Sequence, residues 1–350
     1  MQQIKEKNFK KQVSFLSYVV QSIRNYEVLD ILGRGGYGKV FKVRRKKNNQ
    51  LFAMKIMSKA KIIEKKSITS VLNEKNLLKQ LHHPFIVNMH SAFQDRENLY
   101  LVLDLLSGGD LRYHLCRNKR FSEEESQFFA ACIIVSLEYL HQHGIIHRDL
   151  KPENLVFDES GYLRLTDMGI ARVWRPENAS DTSGTPGYMA PEVMCKQNHG
   201  IAVDFFALGI IIYECMLGKR PYVGKSRQEI RDQVLSKQIQ IKRSQLPVAW
   251  SIEAGDFINQ LIQRKPENRL GSNNPSDVKN HPWFSAFDWD ALIKKKYDPP
   301  YYPKKFKGYE GQTDDTMEDQ NEKNFVLLRN KTLCEQFNEY CYNPEVCFEK

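Results

Sequence analysis

His147-Arg148-Asp149-Leu150-Lys151-Pro152-Glu153-Asn154, followed by Asp167-Met168-Gly169, is the stretch whose reading decides the fold. The loop supplies a carboxylate that can accept a proton, an ammonium that can neutralise charge, and an amide oxygen; the second stretch adds another carboxylate as a hard ligand. A lone Asp in a loop is usually a turn or cap residue. These groups come together, and the residues upstream of them decide which chemistry they serve.

Upstream, Gly33-Arg34-Gly35-Gly36-Tyr37-Gly38-Lys39-Val40 has the pattern G-x-G-x-x-G-x-V, in which residues without side chains let backbone amides close over phosphates. A dinucleotide-binding fold needs a helix directly after such a triplet. Here Lys39-Val40-Phe41-Lys42-Val43 alternates and is rich in β-branched and aromatic residues, so a strand follows instead. Leu51-Phe52-Ala53-Met54-Lys55-Ile56-Met57 and Leu99-Tyr100-Leu101-Val102-Leu103 read as two further strands. Between them Ile68, Val71, Leu72, Leu78 and Leu81 mark one face of a helix that Glu74 borders, the single helical break expected in residues 26–106.

Helices dominate residues 107–284. One opens at Ser122-Glu123-Glu124-Glu125, a capping-box signature, and runs through Phe128, Phe129, Ile133, Leu137 and Leu140 towards the His147 loop. Ser107-Gly108-Gly109 is the natural joint between the β-rich and helical parts. Residues 201–217 are apolar nearly all round, yet they carry Asp204 and Glu214 and fall short of the roughly 20 apolar residues that span a membrane, so they read as a buried central helix.

In order and spacing these motifs resemble the eukaryotic protein kinase family, with its H-R-D and D-F-G signatures. The resemblance implies transfer of the terminal phosphoryl of ATP, which needs in-line positioning, charge neutralisation by Lys and Mg²⁺, and a carboxylate beside the attacking hydroxyl. It makes Asp149 the group that accepts or orients the hydroxyl proton, Lys151 the cation on the transferred group, and Asn154 with Asp167 the Mg²⁺ ligands. Ala53-Met54-Lys55 corresponds to the family's A-x-K, so Lys55 would neutralise the α- and β-phosphates while paired with Glu74. The ATP-binding set it implies runs through Leu32, Gly33, Arg34, Gly35, Gly36, Tyr37, Gly38, Lys39 and Val40, then Ala53, Leu103, Asp104, Leu106, Asp110, Glu153 and Val156. Adenine would sit between Val40, Ala53, Leu103 and Val156.

Gly184-Thr185-Pro186-Gly187-Tyr188-Met189-Ala190-Pro191-Glu192 is similar to the family's peptide-binding stretch ending in A-P-E. By the same resemblance Glu192 pairs with Arg269 and Asp204 anchors the catalytic-loop backbone. This segment and Lys151 imply a serine/threonine kinase and disfavour a tyrosine or small-molecule kinase. The alternative is a nucleotide-binding pseudokinase or scaffold with weak catalysis; Lys55, Asp149 and Asp167, all present, stand against it.

Past the core the chain resembles the AGC group, which contains the cyclic-nucleotide-dependent kinases. The matching residues are Asn73-Glu74-Lys75, Ser107-Gly108-Gly109-Asp110-Leu111, His281-Pro282-Trp283-Phe284 and Tyr301-Tyr302-Pro303. Phe337-Asn338-Glu339-Tyr340-Cys341-Tyr342 resembles the hydrophobic motif F-x-x-F-S/T-Y, which would dock its aromatics on the small lobe near the Glu74 helix. Asp110, Glu153 and Glu214 match positions that bind arginines upstream of the phosphoacceptor in basophilic members.

Four departures from the pattern bear on regulation and nucleotide contact. Met168 replaces the Phe of D-F-G, and flexible Met can fill that apolar space. Cys341 stands where relatives carry a phosphorylatable Ser or Thr. Asp181 stands at the activation-loop phosphothreonine position, where it would pair with Arg148 and Arg172 and partly replace phosphorylation, with one charge against about 1.5 to 2, while Ser180, Thr182 and Ser183 stay open as phosphosites instead. Thr313-Asp314-Asp315-Thr316-Met317 has no aromatic to lay against a nucleotide.

Composition sets the outer bounds. Hydrophobic content of 41% and charged content of 27% over 350 residues suit a globular enzyme of two lobes and exclude a disordered or fibrous chain. The net charge of +10 is spread along the chain, clustering mildly at Lys5 to Lys11 and Arg44 to Lys47, so no nucleic-acid role is expected. Seven cysteines form no C-x-x-C pair and read as reduced thiols of a cytoplasmic protein, with a nuclear location also open. The N-terminus lacks a secretory h-region, and Gln2 in place of glycine argues against myristoylation. The expectation is an α+β bilobal protein kinase fold: a basic, partly helical extension at 1–25, a catalytic domain at 26–284 divided at 106/107, and an AGC-type tail at 285–350. Expected partners are protein substrates with basic residues upstream of Ser or Thr, and a regulatory subunit or upstream kinase, without a membrane span.

Overall fold

The structure is a computed structural model that describes residues 22–175, 182–304 and 327–344. The expected N-terminal helix, Asp181 and residues 313–317 lie outside the described residues. The described residues form two compact units, one drawn from 22–79, 88–105 and 327–344, the other from 80–87, 106–175 and 182–304. Residues 80–87 go with the helical unit, and residues 327–344 with the β-rich one.

The first unit is built on five antiparallel strands: β1 (Tyr26–Arg34), β2 (Gly38–Arg45), β3 (Leu51–Ser58), β4 (Met89–Gln94) and β5 (Asn98–Leu103), in the order β1-β2-β3-β5-β4. Side chains alternate across a sheet. Phe52 and Met54 therefore join Tyr26, Val43, Phe93, Tyr100 and Val102 in an apolar core on one face, while Ala53 and Lys55 point to the other. Gly38 is required at the start of β2: a Cβ there would lie 1.8 Å from the Ile56 carbonyl oxygen of the adjoining strand.

Two helices interrupt this sheet, not the single one expected. The helix α1 (Lys59–Glu64) is short, capped by the Ser58 side chain accepting from the Lys61 amide, and it buries Ile62 and Ile63. The longer α2 (Ile68–Gln80) buries Ile68, Val71, Leu77 and Leu78, and Glu74 and Lys75 with them. Six residues were too few for an apolar period to show α1, and the strands β1 and β4 were not singled out by their mixed composition.

In the second unit α3 (Leu111–Asn118) begins at Asp110, whose side chain accepts from the Tyr113 amide. The helix α4 (Glu123–Gln142) starts with the capping box expected at Ser122 and Glu125. Short strands follow: β6 (Ile145–Ile146) pairs with β9 (Arg172–Val173), and β7 (Leu155–Phe157) pairs with β8 (Leu163–Leu165). The loops between these pairs carry the H-R-D and D-M-G residues. Beyond them come α5 (Pro191–Met194), α6 (Ala202–Leu217), α7 (Arg227–Ser236), α8 (Ile252–Leu261) and α9 (Trp289–Ile293).

The helix α6 is buried on nearly every side and packs between α4 and α8. Its approach to α8 depends on Gly209, where a Cβ would come within 2.8 Å of Leu261 and Ile262 side chains. No helix among the described residues is long and apolar enough to cross a membrane.

Candidate active site

In the first unit, the register of β2, β3 and β5 sets Lys55 opposite Val40 and Leu101, and Ala53 opposite Lys42 and Leu103. Val40, Ala53, Lys55 and Leu103 therefore share the face turned away from the apolar core. Lys55 Nζ donates to Glu74 Oε1 at 2.7 Å, and the Glu74 side chain is almost wholly buried. The glycine turn closes with a Gly35 N–H to Gly38 carbonyl bond of 2.8 Å, and Lys65 Nζ donates to the Gly36 carbonyl. Asp104, at the end of this unit's sheet, is held by the Asn88 amide and by His90 Nε2 at 2.7 Å.

In the second unit the catalytic-loop candidates form one network. Asp149 Oδ1 accepts from the Thr185 hydroxyl at 2.7 Å, and Oδ2 accepts from Lys151 Nζ at 2.5 Å. Lys151 Nζ also donates to Thr185 Oγ1 at 3.1 Å. Asn154 donates its Nδ2 to the Asp149 carbonyl and carboxylate, which leaves its carbonyl oxygen as the atom it can offer to a cation. Thr166 fixes the Asn154 backbone by donating both N–H and hydroxyl to its carbonyl.

The backbone of these loops is held in conformations that side chains avoid. Arg148 has φ of 67° and Asp167 has φ of 63°, each costing about 1–2 kcal/mol. Arg148 is kept there by Asp204, at the start of α6, whose two oxygens accept the His147 N–H at 3.0 Å and the Arg148 N–H at 2.8 Å. Burial pushes the Asp204 carboxyl up, but the hydrogen bond and charge of His141 and the His147 contacts outweigh it and hold it below the usual carboxylate range. Asp167 accepts from the Gly169 N–H, and Met168 is fully buried, as apolar packing at that position requires.

A metal fits this donor set in one specific way. Among the described residues no three His, Cys, Asp or Glu side chains cluster as a metal cage. Mg²⁺ takes only one or two protein oxygens and draws its other ligands from phosphate and water. Asn154 Oδ1 and the Asp167 carboxylate are the two oxygens that would hold it.

Around Tyr188 the structure shows contacts that sequence reasoning did not reach. Arg112 donates from Nε to Glu153 Oε1 at 2.9 Å, from Nη1 and Nη2 to the two Glu214 oxygens at 2.7 and 3.0 Å, and from Nη2 to the Tyr188 hydroxyl. Tyr188 in turn donates to Glu214 Oε2 at 2.6 Å. Burial, and after it the Glu214 charge, pushes the Tyr188 phenol up, so it stays protonated. Glu192 and Arg269 make a bidentate pair at 2.7 and 3.0 Å, and both side chains are buried.

A family model described as the protein kinase domain matches residues 26–284. The chain belongs to that family. Among curated proteins the kinase domain is similar to a probable serine/threonine-protein kinase of Dictyostelium discoideum, 39% identical over 284 residues, with 81% of this chain and 61% of the relative covered. It is likewise 39% identical over 284 residues to the serine/threonine-protein kinase sgk-1 of Caenorhabditis elegans, covering 80% of this chain and 60% of that one. With the cAMP-dependent protein kinase catalytic subunit of Dictyostelium discoideum it shares 37% identity over 287 residues, 81% of this chain and 43% of the relative. The last two of these relatives are AGC members, and the chain spans less than two thirds of the length of each of the three.

The expected site residues thus fall into two groups. Lys55, Glu74, the glycine turn, Val40, Ala53, Leu103 and Asp104 lie in the first unit; Asp149, Lys151, Asn154, Asp167, Asp110, Glu153 and Val156 lie in the second. Thr185, Arg112 and Tyr188 were not singled out, because a side chain that reaches across tens of residues leaves no local pattern in sequence.

Proposed function

We propose that the chain is an ATP-dependent serine/threonine protein kinase that favours substrates with a basic residue upstream of the phosphoacceptor. The observation that carries this reading is the contact of Asp149 with Lys151 and Thr185, which fixes a carboxylate beside an ammonium. A substrate hydroxyl oxygen forms a bond to the terminal phosphorus of ATP while the bond from that phosphorus to its bridging oxygen breaks, and ADP leaves. Asp149 orients the hydroxyl and takes up its proton as the new bond forms. Lys151 offsets the negative charge on the transferred group, and Lys55, oriented by Glu74, does so for the α- and β-phosphates. Mg²⁺ would be held by Asn154 and Asp167, where it supplies neutralisation of the phosphate charge.

Basic-residue preference is supported by three carboxylates: Glu214 accepts from Tyr188 of the Gly184 segment, Glu153 shares Arg112 with it, and Asp110 lies two residues before Arg112. The reduced state of the six cysteines described, all free thiols, supports a cytoplasmic location, which imaging of the tagged full chain tests. The direct test of the function is transfer of labelled phosphoryl from ATP to serine peptides with arginine upstream, in the presence of Mg²⁺. Turnover that falls by 100-fold or more in Asp149→Asn supports the reading; nucleotide binding with no transfer by the wild type would make the chain a scaffold.

A further inference from the structure

Arg112 is the one cation in salt-bridge contact with Glu153 or Glu214 among the described residues. Four of its five N–H donors are used there: one on Glu153, two on Glu214 and one on the Tyr188 hydroxyl. The fork-to-carboxylate geometry is the strong, planar arrangement that a peptide arginine would itself adopt. Both Glu214 oxygens are engaged, one accepting from Arg112 and the other from both Arg112 and Tyr188, so neither edge of the carboxylate is left for a second guanidinium to take as a fork.

Asp110 is different. It makes no salt bridge among the described residues, and the one hydrogen bond of its carboxylate there caps α3 through the Tyr113 amide at 2.8 Å. The three candidate arginine-reading carboxylates are therefore unequal: two share an arginine supplied by the chain, and one is open to a cation from outside.

We infer that Arg112 is a specificity-determining residue, a resident guanidinium that fills the Glu153–Glu214 subsite and leaves Asp110 to select a single basic residue in the substrate. This rests on the reading that these carboxylates face the peptide. A second substrate arginine finds its bidentate acceptor taken and meets the charge of Arg112, so it brings no gain. Removing Arg112 opens the subsite, and selection for two arginines appears.

The test compares kcat/KM, within each variant, for serine peptides carrying arginine at each upstream position singly and in pairs. Ratios within one variant are independent of its overall activity. The wild type is expected to favour arginine at one position by about 10-fold or more, and to change by less than about threefold when a second is added. Asp110→Asn, which can still cap the helix, loses the first preference. Arg112→Leu gains about 10-fold or more for the second arginine.

If the wild type already rewards two arginines by that much, or if Asp110→Asn erases the first preference and Arg112→Leu gains none, the inference falls while the substrate reading stands. If neither variant alters the preference at any position, the carboxylates do not face the peptide and the reading beneath it fails too. Since Arg112→Leu leaves Glu214 without its cation, Arg112→Lys serves as a second variant that keeps the charge and loses the fork. A smaller gain for the second arginine is expected there. A thermal melt adds a readout free of turnover: a two-arginine peptide should raise the melting temperature of Arg112→Leu more than that of the wild type, and an equal rise in both counts against the inference.

Discussion

Lys75 Nζ donates to the Glu339 carbonyl at 2.8 Å, joining helix α2 to the C-terminal tail across 264 positions of sequence. Glu74, the next residue on that helix, is the partner of Lys55. Close by, Gln94 Nε2 donates to the Phe337 carbonyl at 2.6 Å, and Phe337 and Tyr340 are both fully buried. The tail aromatics thus pack in the same unit as Lys55.

The two aromatics should respond differently to substitution. Phe337→Ala empties a filled core position and is expected to lower stability by about 3–5 kcal/mol. The Tyr340 hydroxyl is buried with no hydrogen-bond partner among the described residues, and burial pushes its pKa up. Tyr340→Phe is therefore expected to be neutral or stabilising by about 1 kcal/mol. Urea unfolding of the two variants checks both; a loss in Tyr340→Phe as large as that in Phe337→Ala would count against this packing.

Lys55→Met tests the phosphate-neutralising lysine. The Lys55–Glu74 bond joins a strand residue to a helix residue, and methionine keeps the length of the side chain without its charge. Phosphoryl transfer is expected to fall by about 100-fold or more, with a cooperative thermal transition retained. Wild-type turnover in the purified variant would remove Lys55 from the mechanism.

Arg269 and Glu192 offer a test of the helical unit alone. Both side chains are buried, and the guanidinium also donates to the Ala202 and Gln263 carbonyls. Arg269→Ala leaves the Glu192 carboxylate buried without a partner, at a cost of about 3–5 kcal/mol. Denaturant unfolding should show that loss; a change below about 1 kcal/mol would contradict the pairing.

His83 gives a pH dependence of known sign. Burial, with Arg164 and His82 adding to it, lowers its pKa to about 4, and its Nδ1 accepts from the Phe85 amide. The folded-state pKa lies below the unfolded one, so the unfolded chain binds the proton first as pH falls. Stability from this group is intact above about pH 6.5 and declines between there and about pH 4, by roughly 2 kcal/mol after solvent screening. In His83→Gln that decline should be shallower by the same amount, as measured by urea unfolding across the range.

Much of the architecture could be read from local pattern. Glycine at position 38 and the strand after it, the box at Ser122 and Glu125, and the all-round apolar run of α6 each leave a signature within a few residues. The Glu192–Arg269 contact and the Asp204 anchor were legible through resemblance, because they belong to a pattern shared by a family. Arg112 was not. Its partners lie 41, 76 and 102 positions away, and nothing around it separates it from a solvated arginine on a helix. Thr185 lay inside a segment already singled out, but its bond to Asp149 needs the fold to bring them together.

Tyr342 and Ala92 exchange both backbone hydrogen bonds at 2.8 Å, so the tail runs as a fragment of strand beside β4, the last strand of its sheet. An open sheet edge is a template on which other chains pair. At Ala92 the tail therefore covers that edge as well as packing its aromatics. A fragment of this kinase that stops before residue 327 would expose an unpaired edge beside vacated aromatic sites, and its solubility, ahead of its activity, would be the first property to suffer.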